Sequence, residues 1–178
     1  MPSVAVLPVA ITVALASCAL AGCGGGSGQD SDPRSDVPAP PADAFRATVE
    51  RVVDGDTLFA RRDGRRLRVR LIGIDAPESV QPDAPVECFG PEAARALAAL
   101  LPVGAAVTGA HEAGGPVDQF GRQLWDVWLE DGRFIQAELV RQGAAEARSY
   151  PPHTEHAVLL ERLEDEARSD DAGLHGRC

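Results

Sequence analysis

Asp75 and Glu78 bracket Ala76-Pro77, directly after the run Arg68-Val-Arg70-Leu-Ile-Gly-Ile. Val69, Leu71, Ile72 and Ile74 give that run the β-branched, apolar character of a buried strand, and Gly73 suggests a bulge or a close backbone approach. An unpaired charge is costly among such neighbours, so Arg70 requires a carboxylate or an anionic ligand. Pro77 stiffens the bend between the two acids. Two carboxylates on a rigid turn beside a cation suit metal-assisted phosphate chemistry. The same residues also suit a strand end with solvated acids and a structural Arg–Asp pair, since structural ion pairs have the same signature. This stretch alone leaves both open.

The elements that must hold these residues follow from periodicity and turn signals. Phe45 to Val53 alternates like a strand and meets Asp54-Gly-Asp-Thr57. Leu58 to Arg62 and Arg65 to Ile74 are strands joined at Asp63-Gly64, a strong hairpin signal. A Pro-rich loop, Ser79 to Gly90, leads to a helix over Pro91 to Leu101, with proline in its first turn and an acid near its start. Strands at about 105–111 and at Gln123 to Leu129 flank a Gly-rich loop that carries Asp118-Gln-Phe-Gly-Arg122. Phe134 to Gln142 is helical and stops at Gly143; Tyr150-Pro-Pro breaks the chain before an amphipathic helix over Glu155 to Ser169. Three strands, a helix, two strands and two helices make a mixed α+β chain, mainly β. That order is compatible with a five-stranded Greek-key barrel of the OB type with about three helices.

At 178 residues there is room for one ordinary domain plus appendages. The 17 basic residues are all arginine, against 27 acids, for a net charge of −10. Phosphate contacts dominate non-specific affinity for polyanions, so this balance excludes a high-affinity nucleic-acid coat protein. It still allows an enzyme with a local cationic site.

The chain opens with a targeting signal. Residues 1–22 carry no charged side chain and hold an apolar run from Val4 to Leu20. Leu20-Ala-Gly-Cys23 resembles the lipobox of bacterial lipoproteins, in which the cysteine is lipidated; Leu15-Ala-Ser-Cys18 fits the same pattern. A cleaved secretory signal or a retained transmembrane helix is the alternative. A lipid anchor would place the domain on the outer face of a membrane. Residues 24–44 are rich in Gly, Ser, Asp, Pro and Ala, have too little apolar bulk to bury, and read as a disordered tether. Setting aside its one arginine (Arg34) and four aspartates leaves the domain, 45–178, with 16 arginines, 23 acids and a net charge of −7.

Asp54-Gly-Asp-Thr57, then Arg70 with Asp75-Ala-Pro-Glu78, then Phe120-Gly-Arg122 occur in one order, beside Cys88-Phe-Gly-Pro-Glu-Ala93 and Leu139-Val-Arg-Gln-Gly143. Together they resemble the staphylococcal (micrococcal) nuclease family over the whole of 45–178. The resemblance implies an OB-fold barrel with added helices that cleaves DNA and RNA phosphodiester bonds with calcium. It implies Asp56 and Asp75 as carboxylate ligands of Ca2+, with the Ala76 carbonyl as a third, Glu78 as general base toward water, and Arg70 and Arg122 as the grip on the scissile phosphate. Calcium wants hard oxygen ligands and keeps several waters, so such a sparse set is chemically consistent. Three departures stand out. Ala76 replaces a residue that is often hydroxyl-bearing in the family; the loop Ser79 to Glu87 is acidic where the staphylococcal enzyme is lysine-rich; and Tyr150 is the one aromatic left near its position for base stacking.

With Cys18 and Cys23 in the leader, Cys88 and Cys178 remain as an even pair in an exported domain, and a disulfide is the expectation, with two free thiols as the alternative. His153 and His156 read as surface residues, and at least one of Trp125 and Trp128 as core. Arg61, Arg62, Arg65, Arg66 and Arg68 flank the hairpin as a solvated face or a local nucleic-acid track. The expected partners are DNA, RNA and a membrane, with the chain a monomer. Two rival functions remain open: a non-catalytic OB-fold binding module, and a tethered calcium-binding lipoprotein whose acidic surface is its working part.

Overall fold

A computed structural model describes residues 37–79 and 85–178. The chain forms β1 (Phe45–Val52), β2 (Thr57–Arg62), β3 (Arg65–Leu71), β4 (Ile74–Asp75), α1 (Gly90–Leu100), β5 (Ala106–Ala110), β6 (Gln123–Leu129), α2 (Ile135–Arg141), β7 (Glu146–Ala147), α3 (Ala157–Ser169) and α4 (Leu174–Arg177). Strands β1-β2-β3-β6-β5 close into a barrel. The β3–β6 contact is parallel and the remaining barrel contacts are antiparallel. This is the expected five-stranded OB-type barrel with three helices, to which the four-residue α4 is added. Closure leaves no barrel strand with an unpaired edge.

Alternation sets the interior. Ala47 and Val49 on β1, Leu58 and Ala60 on β2, and Val69 and Leu71 on β3 are all buried. The β2–β3 turn at Asp63-Gly64 has positive φ at both residues, the backbone that a tight hairpin with the right twist requires. Strand β6 does not alternate: Trp125, Asp126, Val127 and Trp128 are all buried, because α2 packs on the face turned away from the barrel. Both tryptophans are therefore core, and each fully buried side chain of this size contributes at least about 2 kcal/mol of apolar burial.

Three expectations change. The third strand does not run unbroken to Ile74. Gly73 takes φ +78° and a Cβ there would lie 2.7 Å from Leu160 Cδ1 on α3, so the chain turns and restarts as β4, paired with β7. The tether ends earlier than 44: Val37 and Ala44 pack on the core, and the Trp128 indole N–H donates to the Pro38 carbonyl at 2.7 Å. His153 and His156 are not surface residues, each having 13% of its side chain exposed, because His156 packs edge-on against Trp128 and Phe134 and His153 lies against Gly114, where there is no Cβ in the way. The leader, with Cys18 and Cys23, and residues 24–36 of the tether lie outside the described residues. Among the described residues no helix is long and apolar enough to cross a membrane.

Candidate active site

The Asp54-Gly55-Asp56-Thr57 turn joins β1 to β2 and seats the first acid. Val53 and Asp54 both donate backbone N–H groups to the Thr57 carbonyl. Asp54 accepts the Asp56 N–H at 3.1 Å, and the Thr57 hydroxyl donates to Asp56 Oδ1 at 3.0 Å. Gly55 is required by contact: a Cβ would fall 2.5 Å from that of Ala76 and 2.8 Å from that of Ala93. The turn thus lies directly against the acidic loop and α1. The Ala76 N–H closes the junction by donating to Asp56 Oδ2 at 2.9 Å.

Arg70, at the end of β3, finds both of its partners here. Its Nη1 lies 2.5 Å from Asp56 Oδ2 and its Nη2 lies 2.8 Å from Asp75 Oδ1. One guanidinium therefore holds the two carboxylates side by side. Burial pushes the Asp56 carboxyl up to about 7; Arg70 opposes that rise and Asp54 adds to it. Asp75 stays open, with 44% of its side chain exposed.

Glu78 leaves the same turn. Its N–H donates to Glu87 Oε2 at 2.9 Å, and the Glu87 N–H donates to the Glu78 carbonyl at 3.0 Å. These reciprocal bonds clasp the two ends of the loop, of which residues 80–84 lie outside the described residues. Cys88 then bonds Cys178 across 90 positions of sequence, as expected, and ties the entry to α1 to the C-terminus.

Arg122 comes from the loop before β6. Asp118 accepts the backbone N–H groups of Phe120 and Arg122, each at 2.9 Å, and takes the Arg122 Nε at 2.6 Å. Burial raises the Asp118 carboxyl, and the hydrogen bonds from Arg122 outweigh it, holding the group below the usual carboxylate range. One carboxylate thus shapes the turn and aims the guanidinium.

Asp56, Arg70, Asp75, Ala76, Glu78, Arg122 and Tyr150 all line a single open cleft of about 780 Å³. Sequence reasoning missed several residues of this wall. Phe120, 73% exposed, lines the cleft beside Arg122, so Tyr150 is not its sole aromatic. Asp118 on this wall aims Arg122 and Arg148 adds a cation, while Glu87, outside the wall, fixes the backbone of Glu78. The position of Asp118 at the head of a Gly-containing turn four residues before Arg122 was the signal available.

Among the described residues no group of three or more His, Cys, Asp or Glu side chains is placed to hold a metal ion. A cation here would depend on the Asp56 and Asp75 carboxylates and the Ala76 carbonyl. Arg70 draws the two carboxylates together and the Ala76 N–H bond holds that residue against Asp56, and a donor set of hard oxygens fits a water-rich calcium site.

Residues 68–176 match the family model described as staphylococcal nuclease homologue. The thermonuclease of Staphylococcus intermedius is 37% identical over 129 residues, covering 72% of this chain and 75% of that protein. The thermonuclease of Staphylococcus hyicus is 33% identical over 129 residues, covering 67% of this chain and 69% of that protein. Endonuclease YncB of Bacillus subtilis (strain 168) is 32% identical over 128 residues, covering 71% of this chain and 60% of that protein.

Proposed function

The chain belongs to the staphylococcal nuclease family, and from that premise we propose that it is a calcium-dependent endonuclease hydrolysing phosphodiester bonds of DNA and RNA. The observation that carries this reading is the convergence of two arginines, two aspartates and a glutamate on one open cleft. Calcium held by Asp56, Asp75 and the Ala76 carbonyl would supply Lewis-acid polarisation of a phosphoryl oxygen and help generate the nucleophile. Arg70 and Arg122 bind the phosphate and offset the charge that accumulates on its oxygens during attack; two fixed guanidinium groups do this with little reorganisation. Arg70 reaches the phosphate from its carboxylate clamp, and Asp118 fixes the direction of Arg122. Glu78 takes the proton of the attacking water, a role that requires hydrogen-bond reach to that water. Tyr150 and Phe120, both exposed at the cleft, offer faces on which flanking bases stack, each worth about 1–3 kcal/mol.

Single strands are the better substrate, because splayed bases reach a small barrel cleft more readily than a stacked duplex. The enzyme works outside the cytoplasm as a monomer, anchored through a lipid on Cys23 or, failing that, simply secreted. The leader pattern and the Cys88–Cys178 disulfide support the exported location.

The test is cleavage of labelled single-stranded DNA, RNA and duplex DNA, with calcium and with chelator. Calcium-dependent cutting, fastest on single strands, is expected. No cutting under oxidising conditions with ample calcium would transfer the assignment to a nucleic-acid-binding module, and equal rates on duplex would overturn the strand preference.

A further inference from the structure

The outer face of the β2–β3 hairpin holds a charge arrangement that the fold does not need. In the hairpin register Thr57 faces Arg70, Phe59 faces Arg68, and Arg61 faces Arg66. These pairs lie on the face turned away from the buried Leu58, Ala60 and Val69. Arg61 opposite Arg66 is a like-charge pair bridged by one acid, Glu50, at 3.4 and 3.1 Å, so the three side chains together keep one positive charge. Arg51 on β1 joins the same face, with its guanidinium 5.3 Å from the Phe59 ring centroid and that of Arg66 4.0 Å from it. Glu50 is the acid that pairs with Arg61 and Arg66; Arg51 and Arg68 form no ion pair with a described residue. A net positive face is thus retained on a chain whose net charge is −10.

This face is continuous with the cleft. Arg68 lines the cleft beside Arg70, and Arg66 follows one pleat further out. Alternate residues of a strand lie about 7 Å apart, close to the step between successive phosphates of an extended single strand. Phe59, half-buried in the middle of the face, carries the Arg66 guanidinium over its ring and holds it in place on the face. Evenly stepped arginines, one of them steadied on an aromatic ring, suit a single-stranded polyanion, which carries charge at regular intervals.

We propose that Arg51, Arg61, Arg66, Arg68 and Phe59 form an accessory track that binds the flank of a single-stranded nucleic acid leaving the cleft. The proposal rests on the nuclease reading for the strand's presence in the cleft, and it names where that strand goes next. The track offsets the acidic surface locally, so long strands bind better than short ones.

The test measures binding of 5′-labelled oligothymidylates of four and twenty nucleotides to the full chain by fluorescence anisotropy, in chelator so that nothing is cut. Relative to wild type, Arg61→Gln with Arg66→Gln raises the Kd for the twenty-mer about tenfold and lowers the salt slope by about 1.4, the value for two single-strand phosphate contacts. The four-mer, which fits within the cleft, shifts less than twofold. Arg68→Gln alone gives a smaller loss in the same direction and supplies the comparison if the double variant loses its near-UV dichroism. An unchanged twenty-mer Kd, or equal loss at both lengths, overturns the track. So does a loss confined to binding of phosphatidylserine vesicles, which would make the face a membrane contact. Because the assay needs no catalysis, a wild type that shows the length effect but never cuts would sink the nuclease reading and leave the track standing. A wild type that cuts while the variants bind normally would do the reverse.

Discussion

Arg70 and Asp56 form an ion pair 2.5 Å long with only 13% and 9% of their side chains exposed, at the same point where substrate and cation would meet. The pair gives Arg70 two tasks. It offsets the cost of burying Asp56, and it presents a guanidinium to the cleft. Removing it leaves a buried carboxylate without its cation, the situation in which breaking an ion pair costs most. Arg70→Ala should therefore lower unfolding free energy by about 3 kcal/mol as well as abolish cleavage. Urea denaturation of the variant checks the first effect; a midpoint equal to wild type would show that Asp56 does not depend on Arg70.

Asp118 and Arg122 make a second such unit, at a loop instead of a strand end. Asp118→Ala releases two backbone N–H groups and the guanidinium together. A misplaced positioning group costs on the order of 10²-fold in rate. The expected signature is non-additivity: Asp118→Ala with Arg122→Gln should be scarcely slower than Arg122→Gln alone. Additive losses in kcat would separate the two residues.

The Cys88–Cys178 bond closes a loop of 90 residues that contains α1, the Arg122 loop and most of the C-terminal half. On the chain-entropy model such a closure stabilises by about 4–5 kcal/mol. Reductant should lower the urea midpoint of the wild type and leave Cys88→Ser/Cys178→Ser, already less stable, unmoved. A wild type insensitive to reductant would contradict the estimate.

Asp126 is buried on β6, accepts the Gln136 side-chain N–H at 3.2 Å and lies 3.6 Å from His156 Nε2. Burial pushes its carboxyl up to about 8, with Glu112 and Glu155 adding to the rise. A carboxyl raised in the folded state favours the protonated form, so its contribution is complete below the unfolded value near 4 and is lost as pH rises through about 8. His156 acts in the opposite sense: burial lowers its value, so its cost is felt on acidification. Between about pH 7, above the raised Asp56 value and the range in which His156 titrates, and about pH 8 the Asp126 effect dominates. The melting temperature of the wild type should fall across that window, and Asp126→Asn, which keeps an oxygen for Gln136, should flatten the slope. An equal slope in the variant would refute the assignment.

The legible part of this molecule was local. Asp63-Gly64 marked the hairpin, alternation marked β1 to β3, and the ordered motifs carried Asp56, Arg70, Asp75, Glu78 and Arg122 to one cleft. What sequence did not disclose depends on residues far apart in the chain. The strand break at Gly73 is enforced by Leu160, 87 positions later, and the seat of Pro38 by Trp128. Simple alternation between Trp125 and Val127 turns Asp126 outward, yet α2 covers that face and Gln136 satisfies it. The His153 and His156 segment read as polar surface because Glu112 and Asp126, which receive it, sit on other strands or loops. Glu87 reads in sequence as one acid of an acidic loop, and its clasp on Glu78 exists only where the loop ends meet.

The most direct test of the catalytic account is single-turnover cleavage of one labelled single strand, at saturating calcium, by wild type and Glu78→Gln. The substitution removes the proposed base and keeps size, fold and both arginines. The account predicts unchanged strand binding and a rate lower by about 10²–10⁴-fold, the range for loss of general base catalysis. A variant that cuts at the wild-type rate would contradict it and move the base elsewhere in the cleft.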